Sequence, residues 1–269
     1  MDKIRKIFLE NKQSYGYRRI TLALRNEGII VNHKKVLRLM NKMNLRVVQV
    51  KRRKYNSYKG NCGKIAPNLI NRDFSSKEPN KKWYTDITEF NLNGEKLYLS
   101  PIIDGFNQEV ISYNISFTPN LKQIKEMLGK AFNEHKDLTG LILHSDQGWQ
   151  YQHEYFQQEL LNHGIKQSMS RKGNSLDNGL MENFFSIIKN EIFYGQEKNY
   201  KSIAHLKETI IEYINFYNNK RIKEKLKGFT PVQLNINYLQ KIGYTTFQIY
   251  ILNIFFYFLQ KKVDKHLNL

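Results

Sequence analysis

Between residues 82 and 117, three runs rich in β-branched and aromatic residues follow one another with tight-turn signals between them. The first is 82–91 (KWYTDITEFN). Asn93-Gly94, a pair that accepts the positive φ of a two-residue hairpin, leads into 96–103, and the turn at 104–107 leads into 109–117. Strands joined this closely pair antiparallel, so a meander is predicted. After Pro119 the period lengthens: Leu121, Ile124, Leu128, Ala131 and Phe132 share one face of a helix. Short strands at 141–144 and 165–168 enclose a helix near 154–162. Longer helices are predicted at about 176–193 and 203–218. Hairpin strands, then helix and strand in alternation, then helices is the order of a mixed α/β domain.

The first 45 residues have a different texture. Ile4, Ile7 and Phe8 lie on one stripe, and Tyr17, Ile20 and Leu24, then Val36, Leu39, Met40 and Met43, repeat at helical spacing. Gly28 and Asn32 mark a helix stop and the next helix cap. Residues 1–60 carry 17 basic and 3 acidic side chains of the chain's 43 and 24. Arg18, Arg19, Lys34, Lys35 and Arg38 fall on helical faces, and Lys51, Arg52 and Arg53 on a stretch with no apolar face. Charge so concentrated favours a polyanionic partner, and the three short helices read as a helix-turn-helix-like module. The expected organisation is a helical DNA-binding region with a basic tail (1–60), a linker (61–80), a core (81–238) and an apolar extension (239–269). The single cysteine, Cys62, excludes a Cys-rich zinc module. The charged N-terminus predicts no signal peptide, and the apolar run 247–259, carrying Gln248 and Asn253, is short for a membrane span. A cytoplasmic location follows.

Three acids stand where chemistry needs them. Asp86 interrupts an otherwise strand-forming run, although aspartate is depleted within strands. Asp146 ends a short buried strand ahead of Gln147-Gly148. Glu182 lies on a helix whose buried stripe is Leu180, Phe184 and Ile188, with Ser186 and Lys189 on its own face. Each has a bland explanation alone: an edge-strand acid, a turn former, a solvated helix face. Together their spacing is that of polynucleotidyl transferases, with 59 residues between the aspartates and 35 from Asp146 to Glu182.

The surrounding motifs extend the pattern. They are Tyr15-Gly16-Tyr17-Arg18-Arg19-Ile20, Trp83-Tyr84-Thr85-Asp86-Ile87-Thr88, His144-Ser145-Asp146-Gln147-Gly148, the stretch Ser170 to Asn178 (SRKGNSLDN), Met181-Glu182-Asn183-Phe184-Phe185, Tyr217-Asn218-Asn219-Lys220-Arg221 and Thr230-Pro231. From about Ser14 to Gln233 the chain resembles the second-frame, catalytic subunit of bacterial insertion-sequence transposases made from two overlapping reading frames, relatives of retroviral integrases. The resemblance implies a ribonuclease-H-like integrase core, a mixed five-stranded sheet with flanking helices.

It also implies DNA cleavage and strand transfer by direct transesterification, with Asp86, Asp146 and Glu182 as catalytic residues and metal ligands. Mg²⁺ suits hard carboxylate oxygens, with Mn²⁺ as substitute, and two ions would clamp the attacking and leaving oxygens. Asp86 is expected to bridge them. Lys189, Arg171, Lys172, Lys220 and Arg221 are expected at DNA, beside the basic residues of the first 60. The implied partners are double-stranded DNA (element ends and target), further copies of the chain and a first-frame protein or fusion, with no membrane. An inactive DNA-binding regulator or transposase remnant is the alternative. Trp149 and Tyr151 are read either as base-stacking or as core, and His144 as a core histidine or one just behind the ligands. Asp104 is read as a turn residue and Asp177 as an acid suited to the first turn of a helix.

Overall fold

Strand β3 (Glu95–Asp104) is the spine of a mixed sheet, because it pairs along both edges. On one edge lies β4 (Val110–Ser116), antiparallel. On the other, β1 (Lys82–Thr85) and β2 (Thr88–Leu92) pair with it in series, antiparallel, with Thr85 opposite Ile102 and Thr88 opposite Leu99. The register does not shift between them. The predicted strand 82–91 is therefore one ladder interrupted at Asp86-Ile87, and Asp86 stands at a strand end rather than mid-strand. By continuation of the register the residue facing Asp86 is Pro101, which has no N–H to donate. Beyond β1 the sheet continues with β5 (Ile142–Ser145) and β6 (Lys166–Met169), both parallel. With β1 and β2 taken as one interrupted strand, the sheet has the five strands and mixed pairing expected. The structure, a computed structural model, describes residues 1–47, 63–245 and 248. Lys51, Arg52, Arg53 and most of the 239–269 extension lie outside the described residues.

Alternation along the strands divides the core into two layers. Trp83, Ile102, Leu141 and Leu143 pack against α4 (Leu121–Glu134) and α6 (Glu154–Asn162), which follows the short α5 (Trp149–Gln152). Tyr84, Phe90, Leu97, Leu99 and Ile103 pack on the other face against α7 (Gly179–Ile192) and α8 (Ile203–Asn219). The predicted helix start at 176 is instead a tight turn, Ser175–Asn178, ahead of α7. The last described helix, α9 (Pro231–Lys241), is additional to the predicted elements, although Thr230-Pro231 with Gln233 forms a capping box that marks its start.

At the N-terminus α1 (Asp2–Glu10), α2 (Tyr17–Asn26) and α3 (His33–Lys42) bury Ile4, Ile7, Phe8, Ile20, Leu24, Val36 and Met40 in a small core of their own. Ile222, from the segment after α8, completes that core. The Tyr15 hydroxyl accepts from the Ile222 N–H at 2.8 Å, and Asn26 donates to the Gly228 carbonyl at 2.9 Å. The helical module is thereby docked on the core. The described part of the expected linker is pinned as well: Ile70 is buried, and the Leu69 N–H donates to Ser168 Oγ. Among the described residues no helix is long and apolar enough to cross a membrane.

Candidate active site

β1 and β5 lie side by side and parallel, with Lys82 opposite Ile142, Trp83 opposite Leu143 and Tyr84 opposite His144. Two residues further along each strand, the same offset sets Asp86 beside Asp146. Neighbouring strands are ~4.8 Å apart, and both side chains fall on the face that carries Tyr84 and His144, the α7 side. A separation of 59 residues in sequence has become lateral proximity.

Each carboxylate is held by backbone and amide donors. Asp86 accepts from the Ile87 N–H at 2.7 Å and from Asn178 Nδ2 at 2.8 Å. Asp146 accepts from the Gly148 N–H at 2.9 Å, closing the turn after β5. A Cβ on Gly148 would lie 3.0 Å from Asp146 Oδ1, so a larger residue there would push on the carboxylate. Neither acid forms an ion pair among the described residues. Burial holds Asp86 well above the usual carboxylate range, and the charges of Asp146 and Glu182 raise it further. Burial raises Asp146 too, against the Gly148 bond.

Glu182 projects from the first turn of α7. Met181, Phe184, Phe185 and Ile188 seat the helix on the sheet, leaving Glu182 exposed with no hydrogen-bond or ion-pair partner among the described residues. The structure thus brings the two aspartates together and sets the glutamate near enough for its charge to act on Asp86. It does not close all three into one shell: among the described residues no three His, Cys, Asp or Glu side chains stand ready to hold a metal ion. Two half-buried carboxylates with no cationic partner among the described residues still form a donor set that a hard divalent cation would relieve, with Glu182 free to turn inward.

Lys189 lies two turns along α7, half-buried, with Nζ 5.3 Å from the centre of the Phe90 ring. Burial lowers it to about 8, opposed by the charges of Glu89 and Asp86. Tyr151 is 1% exposed and edge-on to Phe156, so it is core and not a base-stacking platform. Trp149 is half-buried at the start of α5. His144 is fully buried. Its Nε2 lies 3.0 Å from the Asp177 carbonyl, which only accepts, so Nε2 carries the proton and Nδ1 accepts from Ser168 Oγ at 2.8 Å. Burial lowers its pKa and keeps it neutral. Asp104 accepts from the Phe106 and Asn80 N–H groups and belongs to its turn.

Three of the basic residues expected at DNA are bonded to carboxylates of the chain itself: Arg221 buried, Arg19 half-buried and Arg171 still exposed. Arg221 is 1% exposed and bonded to Glu191, which withholds its guanidinium from any phosphate. Arg19 stacks on Tyr15 and reaches Glu191 at 3.4 Å, tying α2 to α7. Arg171 forks onto Asp177 through Nε at 2.7 Å and Nη2 at 2.8 Å. Hydrogen bonds from Arg171 hold that buried carboxylate below its usual range despite burial. Arg18 is exposed, 3.7 Å from Glu224, and Lys172, Lys220, Lys34, Lys35 and Arg38 are exposed. Two participants carry no sequence signal of their own: Arg72, which bonds Asp177 from the linker, and Asn178, which holds Asp86. Neither sits in a periodic pattern. Asn178 does lie in the stretch SRKGNSLDN, next to the more conspicuous acid Asp177.

A ribonuclease-H-like sheet with an acid pair at parallel strand ends, a glutamate-bearing helix above it and a helix-turn-helix-like module docked alongside defines the integrase-core class of DNA-acting proteins. Family models agree: residues 1–54 match an HTH-like domain, and residues 76–175 and 182–239 match two integrase core domain models. The chain is 49% identical over 241 residues to the putative transposase InsK for insertion sequence element IS150 of Escherichia coli K12, covering 89% of this chain and 84% of that one. It is 50% identical to an uncharacterized transposase-like protein of Haemophilus influenzae, covering 79% and 96%, and 35% identical to the transposase for insertion sequence element IS904 of Lactococcus lactis, covering 86% and 90%. Among solved structures, the HTLV-2 integrase catalytic core domain is 22% identical with a TM-score of 0.46, over 58% of this chain and 97% of that one. The chain belongs to the insertion-sequence transposases, as the second-frame, catalytic subunit of the two-reading-frame kind. Its function is that of a DNA transposase.

Proposed function

We propose that this transposase cuts the ends of its insertion sequence and joins them to target DNA by direct transesterification at the site built on Asp86, Asp146 and Glu182. The observation that carries this reading is the position of Asp86 and Asp146 just past the ends of the adjacent parallel strands β1 and β5, both half-buried and both held above the ordinary carboxylate range. Asp86, Asp146 and Glu182 would hold the divalent metal, as two ions, through their carboxylate oxygens. Mg²⁺, or Mn²⁺ in its place, would supply charge neutralisation at the scissile phosphate and a more acidic attacking oxygen. The residues of this chain orient the reactants: the strand ends fix the aspartates, and α7 carries Glu182 over them. Lys189, half-buried and in the field of Asp86, would hold a backbone phosphate beside the reacting one. Exposed Lys34, Lys35 and Arg38 on α3, with Arg18, give the helical module its phosphate contacts.

The substrates are double-stranded element ends and target, handled by more than one copy of the chain with the first-frame protein or a frameshift fusion, in the bacterial cytoplasm at the nucleoid. The test is nicking and joining of labelled element ends in Mg²⁺, by the chain alone and fused to its upstream frame. Asp86→Asn, Asp146→Asn and Glu182→Gln should each abolish both steps. Equal cleavage by wild type and variants would remove the assignment, and DNA binding without cleavage by the wild-type fusion would favour an inactive regulator.

A further inference from the structure

At the foot of α7 one side chain does nothing for the helix it precedes. Asn178 occupies the position where an asparagine ordinarily accepts from a first-turn N–H, yet its side chain makes no such bond. It turns to the sheet instead, where Nδ2 donates to Asp86 Oδ2 at 2.8 Å. The other end of the amide, Oδ1, is buried and has no hydrogen-bond partner among the described residues. The residue is 6% exposed. A buried acceptor left without a donor costs ~1–3 kcal/mol, so native structures rarely keep one without a reason. Reversing the amide offers no escape, since Oδ1 would then face a carboxylate oxygen.

The backbone beside it is clamped. The Asp177 carboxylate takes bonds from Arg171, from Arg72 Nε at 3.0 Å and from Asn68 Nδ2 at 3.0 Å, and the Asp177 carbonyl takes the Nε2 proton of His144. Residues from the linker, from β5 and from the loop ahead of α7 converge to fix the peptide that carries Asn178. A helix start alone would need none of this.

We propose that Asn178 is a positioning residue for the acid pair: Nδ2 holds the Asp86 carboxylate toward α7, and Oδ1 accepts from a water in the hydration shell of a divalent cation bound by the two aspartates. The inference rests on the metal-site reading above. Mg²⁺ and Mn²⁺ keep several of their waters when few carboxylates bind them, and each such water points its hydrogens away from the ion. An acceptor just behind the ligands is then matched to a donor that only the loaded site contains. Such outer partners typically change metal affinity ~10–100-fold when removed.

The test is Mn²⁺ binding to the full chain, followed by the electron paramagnetic resonance signal of the free ion, for Asn178→Ser, Asn178→Ala, Asp86→Asn and Asp146→Asn. Serine is as compatible with a helix start as asparagine but too short to reach Asp86. Asn178→Ser should therefore keep the wild-type circular dichroism and melting temperature while binding Mn²⁺ ~10-fold or more weakly, and Asn178→Ala should bind no better. Wild-type affinity in both Asn178 variants, with loss of binding in the two aspartate variants, would overturn the role of Asn178 alone. Wild-type affinity in the aspartate variants would remove the metal-site reading, and this role with it. Unfolding of even Asn178→Ser would assign Asn178 to the fold and end the proposal.

Discussion

Glu191 accepts three bonds from the Arg221 guanidinium, at 2.6, 2.9 and 3.2 Å, in a setting where Arg221 is 1% exposed. Burial pushes Glu191 up, but the Arg221 bonds and the charges of Arg221 and Arg19 leave it below its usual range. Glu191 lies on α7, the helix that carries Glu182, and Arg19 lies on α2. One carboxylate therefore fastens α7 both to the segment after α8 and to the N-terminal module.

Removing one partner strands a buried charge. Arg221→Ala should destabilise the fold by ~3–5 kcal/mol, read as a drop in the urea midpoint. Adding Glu191→Gln to it should cost less than the two single losses combined, because the second change removes the charge that the first left behind. Strict additivity would show that the pair is not energetically joined.

Loss of solvation, then the charge of Asp146, raises Asp86, so its ionised form costs stability in the metal-free protein. A raised folded-state pKa means that stability is lost as pH rises from the unfolded value through the folded one. Asp86→Asn should therefore raise the metal-free melting temperature at pH 7–8, by roughly 2–4 °C for each kcal/mol of strain relieved, while abolishing nicking. A lower melting temperature in that variant would contradict the electrostatic picture.

A further half-buried acid with a raised pKa, Glu109, lies away from the site. Burial raises Glu109 to about 7, opposed by its bond from Asn107, with the charge of Asp104 adding to the rise. The folded state thus binds the proton more tightly than the unfolded chain, and between about pH 4.5 and 7 this acid costs stability progressively. Glu109→Gln keeps an acceptor for Asn107 without the charge. Its stability relative to wild type should grow across that window by ~1–3 kcal/mol and level off above it. Parallel stability curves from pH 4 to 8 would refute the shift.

Exposed Lys34, Lys35 and Arg38 lie on α3, whereas Arg221 is enclosed. Changing the three α3 residues to alanine should reduce the slope of log binding constant against log salt, by ~0.9 for each phosphate that the helix no longer neutralises. Lys220→Ala, at an exposed position, tests whether the end of α8 meets a phosphate of its own. An unchanged slope in the α3 variant would move the DNA footprint off that helix.

Much of the architecture is legible in local pattern. The hairpin at Asn93-Gly94, the alternation that sends Trp83 and Tyr84 to opposite faces and the burial of Phe184 and Ile188 on α7 each follow from spacing and turn chemistry, whereas Met181 and not the expected Leu180 completes that stripe. The interruption of the first strand is hidden from local pattern, because it arises from Pro101 on the partner strand. The turn at Ser175–Asn178 reads locally as the start of a helix, because Asp177 and Asn178 suit a first turn. In the fold they bond to the linker and the sheet instead of capping α7.

The sequence by itself determined most of the elements that form, which acids are candidates and where positive charge gathers, since these depend on neighbours a few residues apart. Only the tertiary structure decided which charges are free. Arg171, Arg221 and Arg19 resemble Lys34 and Arg38 in any count of basic residues, yet the first three are bound to Asp177 and Glu191. It also decided that Asp86 and Asp146 meet, through the pairing of β1 with β5, and that Asn178 is turned toward them. Strand register and buried ion pairs join residues tens of positions apart, and local sequence carries no record of that distance.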